Sequence, residues 1–388
     1  MPQDVYPLAH YPDQLVVDLR HLQYVKEMLA DLGFSHSGDD EDEDELLGLA
    51  LLRELAAPED NEIDVSDVLA LLRQRSASER DGWVPVLGVN RQVDSVIGEG
   101  HKPMFAANRP VNSVITGGHK PMSGAEPQPA GAAEVPRTLV SGETGRGVHV
   151  GVVDTRPAPE PVGAGHTLPF RSGHGVFVTS LIQRQAPAAE VAVEGILDPS
   201  TGRADAWEVA RAVARLAAAQ PLDILNLSLG CYTLSGGPPL AIARAVERLG
   251  SGVLVVAAAG NHGAVTALTA GRTARSACWP AAMPPVIAVG SVDEAGAVPP
   301  WSPGLPWVHC LAPGVDVVGS YLTGEVELSD GGHVLFDGYA RWSGTSFSAA
   351  TVSGAVAART VPGTVTPQQA LRALIEEGTL VRPFPDGP

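Results

Sequence analysis

Arg341–Val356 reads RWSGTSFSAATVSGAV, a run of Ser, Gly and Thr that feeds directly into an apolar stretch. Ser and Thr are common helix N-caps, because their hydroxyls accept from amides that have no partner inside the helix. A cap followed by a buried helix is therefore one reading of each serine here. The other is that Ser346 is a nucleophile held at a helix N-terminus, and the residues upstream decide between the two.

Upstream, apolar runs alternate with segments of helical spacing. GVHVGVVD (147–154), AEVAVEGI (189–196), DILNLSLG (223–230), GVLVVAAAGN (252–261) and VIAVGSVD (286–293) read as strands. GHGVFVTSLIQR (173–184), ADAWEVARAVARLAAA (204–219) and PLAIARAVERLG (239–250) read as helices. Continuous apolar strands separated by helices predict an α/β fold whose parallel sheet is covered on both faces. Polar sites in such sheets collect beyond the carboxyl ends of the strands. Asp154 ends the first strand, His174 opens a helix, Asn261 follows a strand and Ser346 opens the last long helix.

Taken singly, each has an ordinary explanation as a turn or helix cap. Together they form a chemical set. A serine hydroxyl is a weak nucleophile until an imidazole takes its proton, and that imidazole needs a carboxylate to fix its tautomer. The oxyanion that follows needs donors aimed at it, such as a side-chain amide and a helix N-terminal N–H.

This order of Asp, His and Ser resembles that of the subtilisin-like serine proteases, the subtilases. Gly344, Thr345, Ser346, Phe347 and Ser348 match the family's Gly-Thr-Ser-x-Ala/Ser, and His174, Gly175 and Val178 match its His-Gly-Thr-x-Val. WPAAMPPVIAVGSVD (279–293) and LAPGVDV (311–317) are similar to later landmarks, so the resemblance runs from about Gly145 to Leu380. It implies a three-layer subtilisin-like fold with a mostly parallel sheet, and a serine endopeptidase using Asp154, His174 and Ser346 with Asn261 in the oxyanion hole. It also implies that an extended peptide binds as an added strand between Thr201, Gly202 and Arg203 on one side and Ser228, Leu229 and Gly230 on the other. Ala257, Ala258, Ala259 and Gly260 would line the primary pocket, with room for Leu, Met or Phe. Ser343, Ser348 and Ser353 then read as small residues that allow close packing. Arg156, Val176 and Ala350 depart from the family's usual Gly, Thr and Pro. The interval from Asp154 to His174 is short for the family, which speaks against its calcium loops. No metal ligand is assigned, no cofactor is required for the chemistry, and a structural calcium is not predicted.

The rest of the chain is expected to be built differently. Residues 1–82 read as a helical domain: apolar spacing over Leu19–Leu32, ELLGLALLREL (45–55), and SDVLALLRQR (66–75) with Ser66 as cap. Residues 83–122 hold a near-repeat, NRQVDSVIGEGHKPM from Asn90 and NRPVNSVITGGHKPM from Asn108. The copies agree at eleven of fifteen positions, and two are too few for a solenoid. Residues 123–140, rich in Pro, Ala and Gly, read as a linker to a catalytic domain over 141–388.

Subtilases are commonly made with an N-terminal segment that occupies the cleft. That makes one or both repeats candidates for an inhibitory or self-cleaved segment, with Met104 or Met122 in the pocket. A docking domain for a partner protein is the other expectation for this half.

The net charge of −18 is concentrated in DDEDEDE, Asp39–Glu45, and no basic patch is present for nucleic acid. No apolar run approaches a membrane span, and the N-terminal residues do not read as a signal peptide. Three scattered cysteines, Cys231, Cys278 and Cys310, suggest free thiols in a reducing compartment, so a cytoplasmic protein is expected. A non-catalytic peptide-binding relative, or a processing enzyme dedicated to one partner protein, are the alternative functions.

Overall fold

The computed structural model describes residues 10–37, 42–57, 64–95, 126–136, 140–156, 167–233, 236–265 and 273–383. The first unit is β1 (His10–Asp18), α1 (Leu22–Asp31), β2 (Ser35–Ser37), β3 (Glu43–Asp44), β4 (Leu49–Ala56), α2 (Val65–Glu79) and β5 (Leu87–Ser95). It is an antiparallel sheet with two helices on one face, where an all-helical domain is expected from sequence. The difference arises in ELLGLALLREL. Its residues alternate as strand β4, with Leu49 and Leu51 facing one core and Ala50, Leu52 and Leu55 facing α1 and α2. A strand buried on both faces shows no polar alternation, so its apolar run cannot be told from a buried helix by periodicity. The cap of α2 also differs. It is Asp64, which accepts from the Ser66 amide at 2.7 Å.

The second unit begins within the expected linker. There β6 (Gln128–Pro129) pairs with a later strand. The succession is β7 (His149–Thr155), β8 (Leu168–Pro169), α3 (His174–Gln185), β9 (Glu190–Leu197), β10 (Arg203–Asp205), α4 (Ala206–Ala219), β11 (Ile224–Leu227) and β12 (Leu229–Gly230). Then follow α5 (Leu240–Arg248), β13 (Leu254–Ala258), β14 (Val286–Val292), β15 (Cys310–Pro313), β16 (Val317–Glu327), β17 (His333–Trp342), α6 (Thr345–Arg359) and α7 (Pro367–Glu376).

Six of these strands form one parallel sheet in the order β15-β14-β13-β11-β7-β9. Its residues alternate between two cores. Val150, Val152, Ile224 and Val256 pack under α3 and α6. Val153, Leu225, Leu227, Val255 and Ala257 pack under α4 and α5. This is the α/β arrangement with helices on both faces that the sequence predicts. The antiparallel ribbon of β16 and β17 runs along α3 and delivers the chain to α6.

The outer surfaces of α4 and α5 are covered by the first unit. Val16, Leu47, Leu49, Leu51 and Val93 join the same core as Trp207, Val213, Ile242 and Ala245. At the rim of this contact, Asp18 accepts from Arg20 Nε and Nη2 and from Arg244 Nη2, each at 2.8 Å. Arg244 also donates to the Leu47 carbonyl at 3.2 Å. Hydrogen bonds from Arg20, and then from Arg244, hold the Asp18 carboxyl far below the usual carboxylate range. A lowered folded-state pKa stabilises the docked form above the unfolded value near 4, and that contribution fades as pH falls through the folded one.

Substituting Asp18→Ala leaves Arg244 with one acceptor fewer in a site where it is only 14% exposed. The expected loss is about 1–3 kcal/mol of docking stability. It should appear as faster hydrogen exchange in β1, β4 and β5, and as a variant that lacks the loosening the wild type shows as pH falls below about 4. Unchanged exchange would mean that the apolar face alone holds the two units together.

Candidate active site

Asp154 is the penultimate residue of β7, and the buried strand places its carboxylate at the carboxyl edge of the sheet. His174 is the first residue of α3 and is likewise fully buried. Their side chains meet: His174 Nδ1 lies 2.7 Å from Asp154 Oδ1, which also accepts from the Thr155 amide at 2.7 Å. A carboxylate on Nδ1 makes that nitrogen the donor and leaves Nε2 as an acceptor. Nε2 is buried without a hydrogen-bond partner.

Close packing fixes the ring. Trp342 stands edge-on to it at 5.6 Å and Phe347 lies at 5.5 Å. Gly175 permits the approach of α3 to β7, since a Cβ there would sit 2.8 Å from the Thr155 carbonyl oxygen and 3.3 Å from Asp154 Oδ1. Its amide donates to Thr155 Oγ1 at 2.9 Å.

Ser346 is the second residue of α6 and is 1% exposed. Its hydroxyl points to the Ser228 carbonyl at 3.3 Å. The helix start is braced from below. Ser228 Oγ donates to the Ser346 carbonyl at 2.9 Å, Asn226 Nδ2 donates to Ser228 Oγ at 3.0 Å, and Ser353 Oγ donates to Asn226 Oδ1 at 3.0 Å. The other serines near the motif are also bonded. Ser348 reaches Ser291 Oγ and the Ala312 carbonyl, and Ser343 accepts from the Asp316 amide. These serines and Asn226 are therefore polar ties between α6 and the sheet, more than the small packing residues that sequence suggests.

Asn261 follows β13, and its Oδ1 accepts from the Thr345 amide at 3.0 Å and the Thr345 hydroxyl at 3.1 Å. This fixes the amide orientation, with Nδ2 toward Gly344, where an added Cβ would lie 3.5 Å away. Thr345 Oγ1 in turn accepts from the Gly260 amide at 3.1 Å. A donor end of an amide thus stands beside the first turn of α6, whose amides concentrate positive potential.

A strand of the chain itself lies between the two segments that sequence assigns to substrate. In β5, Gln92, Val93 and Asp94 pair antiparallel with Asp205, Ala204 and Arg203 of β10. Asp94 and Ser95 pair with Gly230 and Leu229 of β12. The Ser95 amide donates to the Gly202 carbonyl at 2.8 Å. The turn before Gly202 is organised by Asp198, whose Oδ1 accepts from the amides and hydroxyls of Ser200 and Thr201. Those bonds, the Ser200 hydroxyl foremost, hold the Asp198 carboxyl down at about 2.

Ala257, Ala258 and Ala259 are fully buried, each in a different apolar cluster. Gly260 is flanked by Tyr232 and His262, whose Nδ1 lies 3.0 Å from Tyr232 Oη. His262 follows Asn261 in the chain, and the fold brings Tyr232 to the same place. Met104 and Met122 lie outside the described residues. Among the described residues no group of three His, Cys, Asp or Glu is placed to hold a metal ion. No helix among them is long and apolar enough to cross a membrane. Cys231, Cys278 and Cys310 are buried and form no disulfide. Burial pushes the Cys310 thiol up to about 12, away from reactivity.

The chain is 36% identical over 135 residues to a thermophilic serine proteinase of Bacillus sp. (strain AK1), matching 35% of this chain and 27% of that protein. It is 28% identical to subtilisin E of Bacillus subtilis (strain 168) over 60% of this chain and 61% of the relative. It thus spans only part of the length of either. Among solved structures, fervidolysin from Fervidobacterium pennivorans, described as a keratinolytic enzyme related to subtilisin, superposes with a TM-score of 0.59 at 17% identity. That match covers 94% of this chain and 57% of that one, and so takes in the first unit as well as the parallel sheet. The description "Subtilase family" matches residues 151–380, more than half of the chain, and the chain belongs to that family.

Proposed function

We propose that this chain is a serine endopeptidase that cleaves peptide bonds through Ser346, His174 and Asp154, and is regulated by its own N-terminal unit. The observation that carries the reading is the fully buried 2.7 Å pair of His174 and Asp154, whose imidazole lies 5.5 Å from the ring of Phe347, the residue after Ser346. Ser346 Oγ attacks the substrate carbonyl as His174 Nε2 takes its proton, and Asp154 stabilises the imidazolium. Asn261 Nδ2 and the Ser346 amide receive the oxyanion. His174 then returns the proton to the leaving amine, and water releases the acyl group from Ser346.

The substrate is a peptide or protein segment held as an added strand by Thr201, Gly202 and Arg203 and by Ser228, Leu229 and Gly230. No metal or cofactor takes part in these steps, and no calcium ligand is assigned. Support for regulation comes from β5, which occupies both edges and must leave before another segment binds. That occupancy favours a processing enzyme with a restricted set of protein substrates over a broad degradative one. Three cysteines that form no disulfide favour a reducing compartment, which we take to be the cytoplasm.

A fluorophosphonate probe followed by intact mass tests the chemistry: one adduct on the wild type and none on Ser346→Ala. Ser346→Ala or His174→Ala should lower kcat by about 10⁶-fold. Asn261→Ala should lower kcat by about 10²–10³-fold with little change in KM. An Asn261→Ala enzyme of full kcat would remove that side chain from the oxyanion role.

Asp198→Ala should raise KM several-fold at constant kcat, since it loosens the edge that binds substrate without touching the reacting groups. Because the Asp198 carboxyl is held down at about 2, its hold on the turn is complete above pH 4 and is lost only as pH falls toward 2. The KM of the wild type should therefore be insensitive to this group from pH 5 upward, and a rise in KM starting near pH 6 would point to another group.

A further inference from the structure

A cavity of about 450 Å³ opens at the seam between the two units, away from the His174–Asp154 pair. One wall comes from the first unit through Asp18, Arg20 and Gly48, and the other from α5 through Arg244, Glu247 and Arg248. Three guanidiniums meet two carboxylates there, an excess of positive charge in a chain with 44 acidic and 26 basic residues. A cation in the last turn of a helix has an ordinary explanation in the helix dipole, which accounts for Arg248 alone. Arg244 stands four residues before it on the same face of α5, where like charges repel, and it is only 14% exposed. The backbone is also shaped to admit both groups. Gly48 ends the turn before β4 at φ +65°, and an added Cβ would lie 2.9 Å from Arg248 Nη2 and 3.6 Å from Arg244 Nη1. Any other residue there would be strained and would displace Arg248.

The contacts within the cavity use only part of this donor capacity. Asp18 accepts from Arg20 Nε and Nη2 and from Arg244 Nη2, and the Leu47 carbonyl accepts from Arg244 Nη1. Glu247 adds little, since its side chain is 66% exposed and its Oε2 is 3.8 Å from Arg244 Nε. Arg248 forms no hydrogen bond or ion pair among the described residues. Its whole fork, with the N–H groups that Arg20 and Arg244 do not spend on Asp18 and Leu47, remains for a ligand. The acidic residues nearby in sequence are engaged elsewhere, Asp42 with Arg53 and Asp44 with Arg211. Guanidinium forks match phosphate and carboxylate oxygens in pairs. Forks on two separate walls suit a tetrahedral group, which offers oxygens to more than one side, better than a flat carboxylate. The volume leaves room for an organic body beyond that group.

We propose that this cavity binds the phosphate group of a small molecule through Arg248, Arg244 and Arg20, and that the bound ligand holds the N-terminal unit against α5. The two walls belong to different units, so the ligand binds the docked form better than the separated one, and mass action favours docking as its concentration rises. Because β5 of the docked unit pairs with β10 and β12, the same ligand retards loss of that pairing. Neither step draws on the chemistry of Ser346.

Calorimetric titration of the full-length Ser346→Ala chain with inorganic phosphate, pyrophosphate and ribose 5-phosphate, in chloride at matched ionic strength, tests the proposal. That background keeps the chain intact and makes the result independent of the protease reading. The expected result is saturable binding of at least one of the three at a single site, with the tightest probe separating a free ion from an ester on an organic body. Adding Arg248→Gln should weaken that binding about tenfold or more. Adding Arg372→Gln, at an exposed position on α7, should leave it unchanged. Arg248 is exposed and has no partner to lose, so the ligand-free thermal midpoint of Arg248→Gln should equal that of its parent and the variant reads binding, not folding. The bound ligand should also slow hydrogen exchange in β1, β4 and β5 several-fold in the parent and not in Arg248→Gln. No saturable binding at millimolar concentration, equal affinity in Arg248→Gln, or an equal loss in Arg372→Gln overturns the site. Saturable binding with unchanged exchange overturns its coupling to docking.

Discussion

The geometry of the cleft depends on where the first turn of α6 is held. A nucleophile at a helix start is useful only if that start is fixed relative to the strand ends that carry its partners. Here the fixing is done by hydrogen bonds in the interior. Thr345 bridges Asn261 and Gly260 at the end of β13, while Ser228, Asn226 and Ser353 tie the next turns to β11. Buried polar groups of this kind are costly when left unpaired and directional when paired, so they specify one position of α6 where apolar packing alone would tolerate several. The aromatic group of Phe177, Trp342 and Phe347 closes the other side and keeps water away from the His174–Asp154 pair.

A second consequence concerns the N-terminal unit. Its sheet has two apolar faces, one covered by α1 and α2 and the other by α4 and α5. Neither face can be exposed without loss, so the unit is stable only against the catalytic half or some other apolar surface. The last strand, β5, is what couples the two units, because the same nine residues form the sheet core at Leu87 and Val89 and pair with β10 and β12 at Asp94 and Ser95. Docking and this pairing are therefore one event, and a force that loosens Asp18 from Arg244 also loosens the pairing.

The legibility of these features in the sequence follows their physical origin. The parallel sheet is readable because strands buried on both faces must be continuous apolar runs, and Asp154, His174, Asn261 and Ser346 are readable because their spacing and order match a known chemistry. The roles of Asn226, Thr345 and Asp198 are not, since Asn, Thr and Asp in turns have many local explanations and only the tertiary contacts single them out. The N-terminal unit misleads for a sharper reason. Leu49–Ala56 is a strand between two cores, and its Leu-rich composition favours helix in isolation; burial on both faces overrides that preference.

The repeat shows where sequence and structure complete each other. From sequence, the copies are a coincidence in need of a cause, and HKPM is their most conspicuous end. The structure shifts attention to the other end, because Asn90, Val93 and Ser95 are the side chains that the catalytic half encloses.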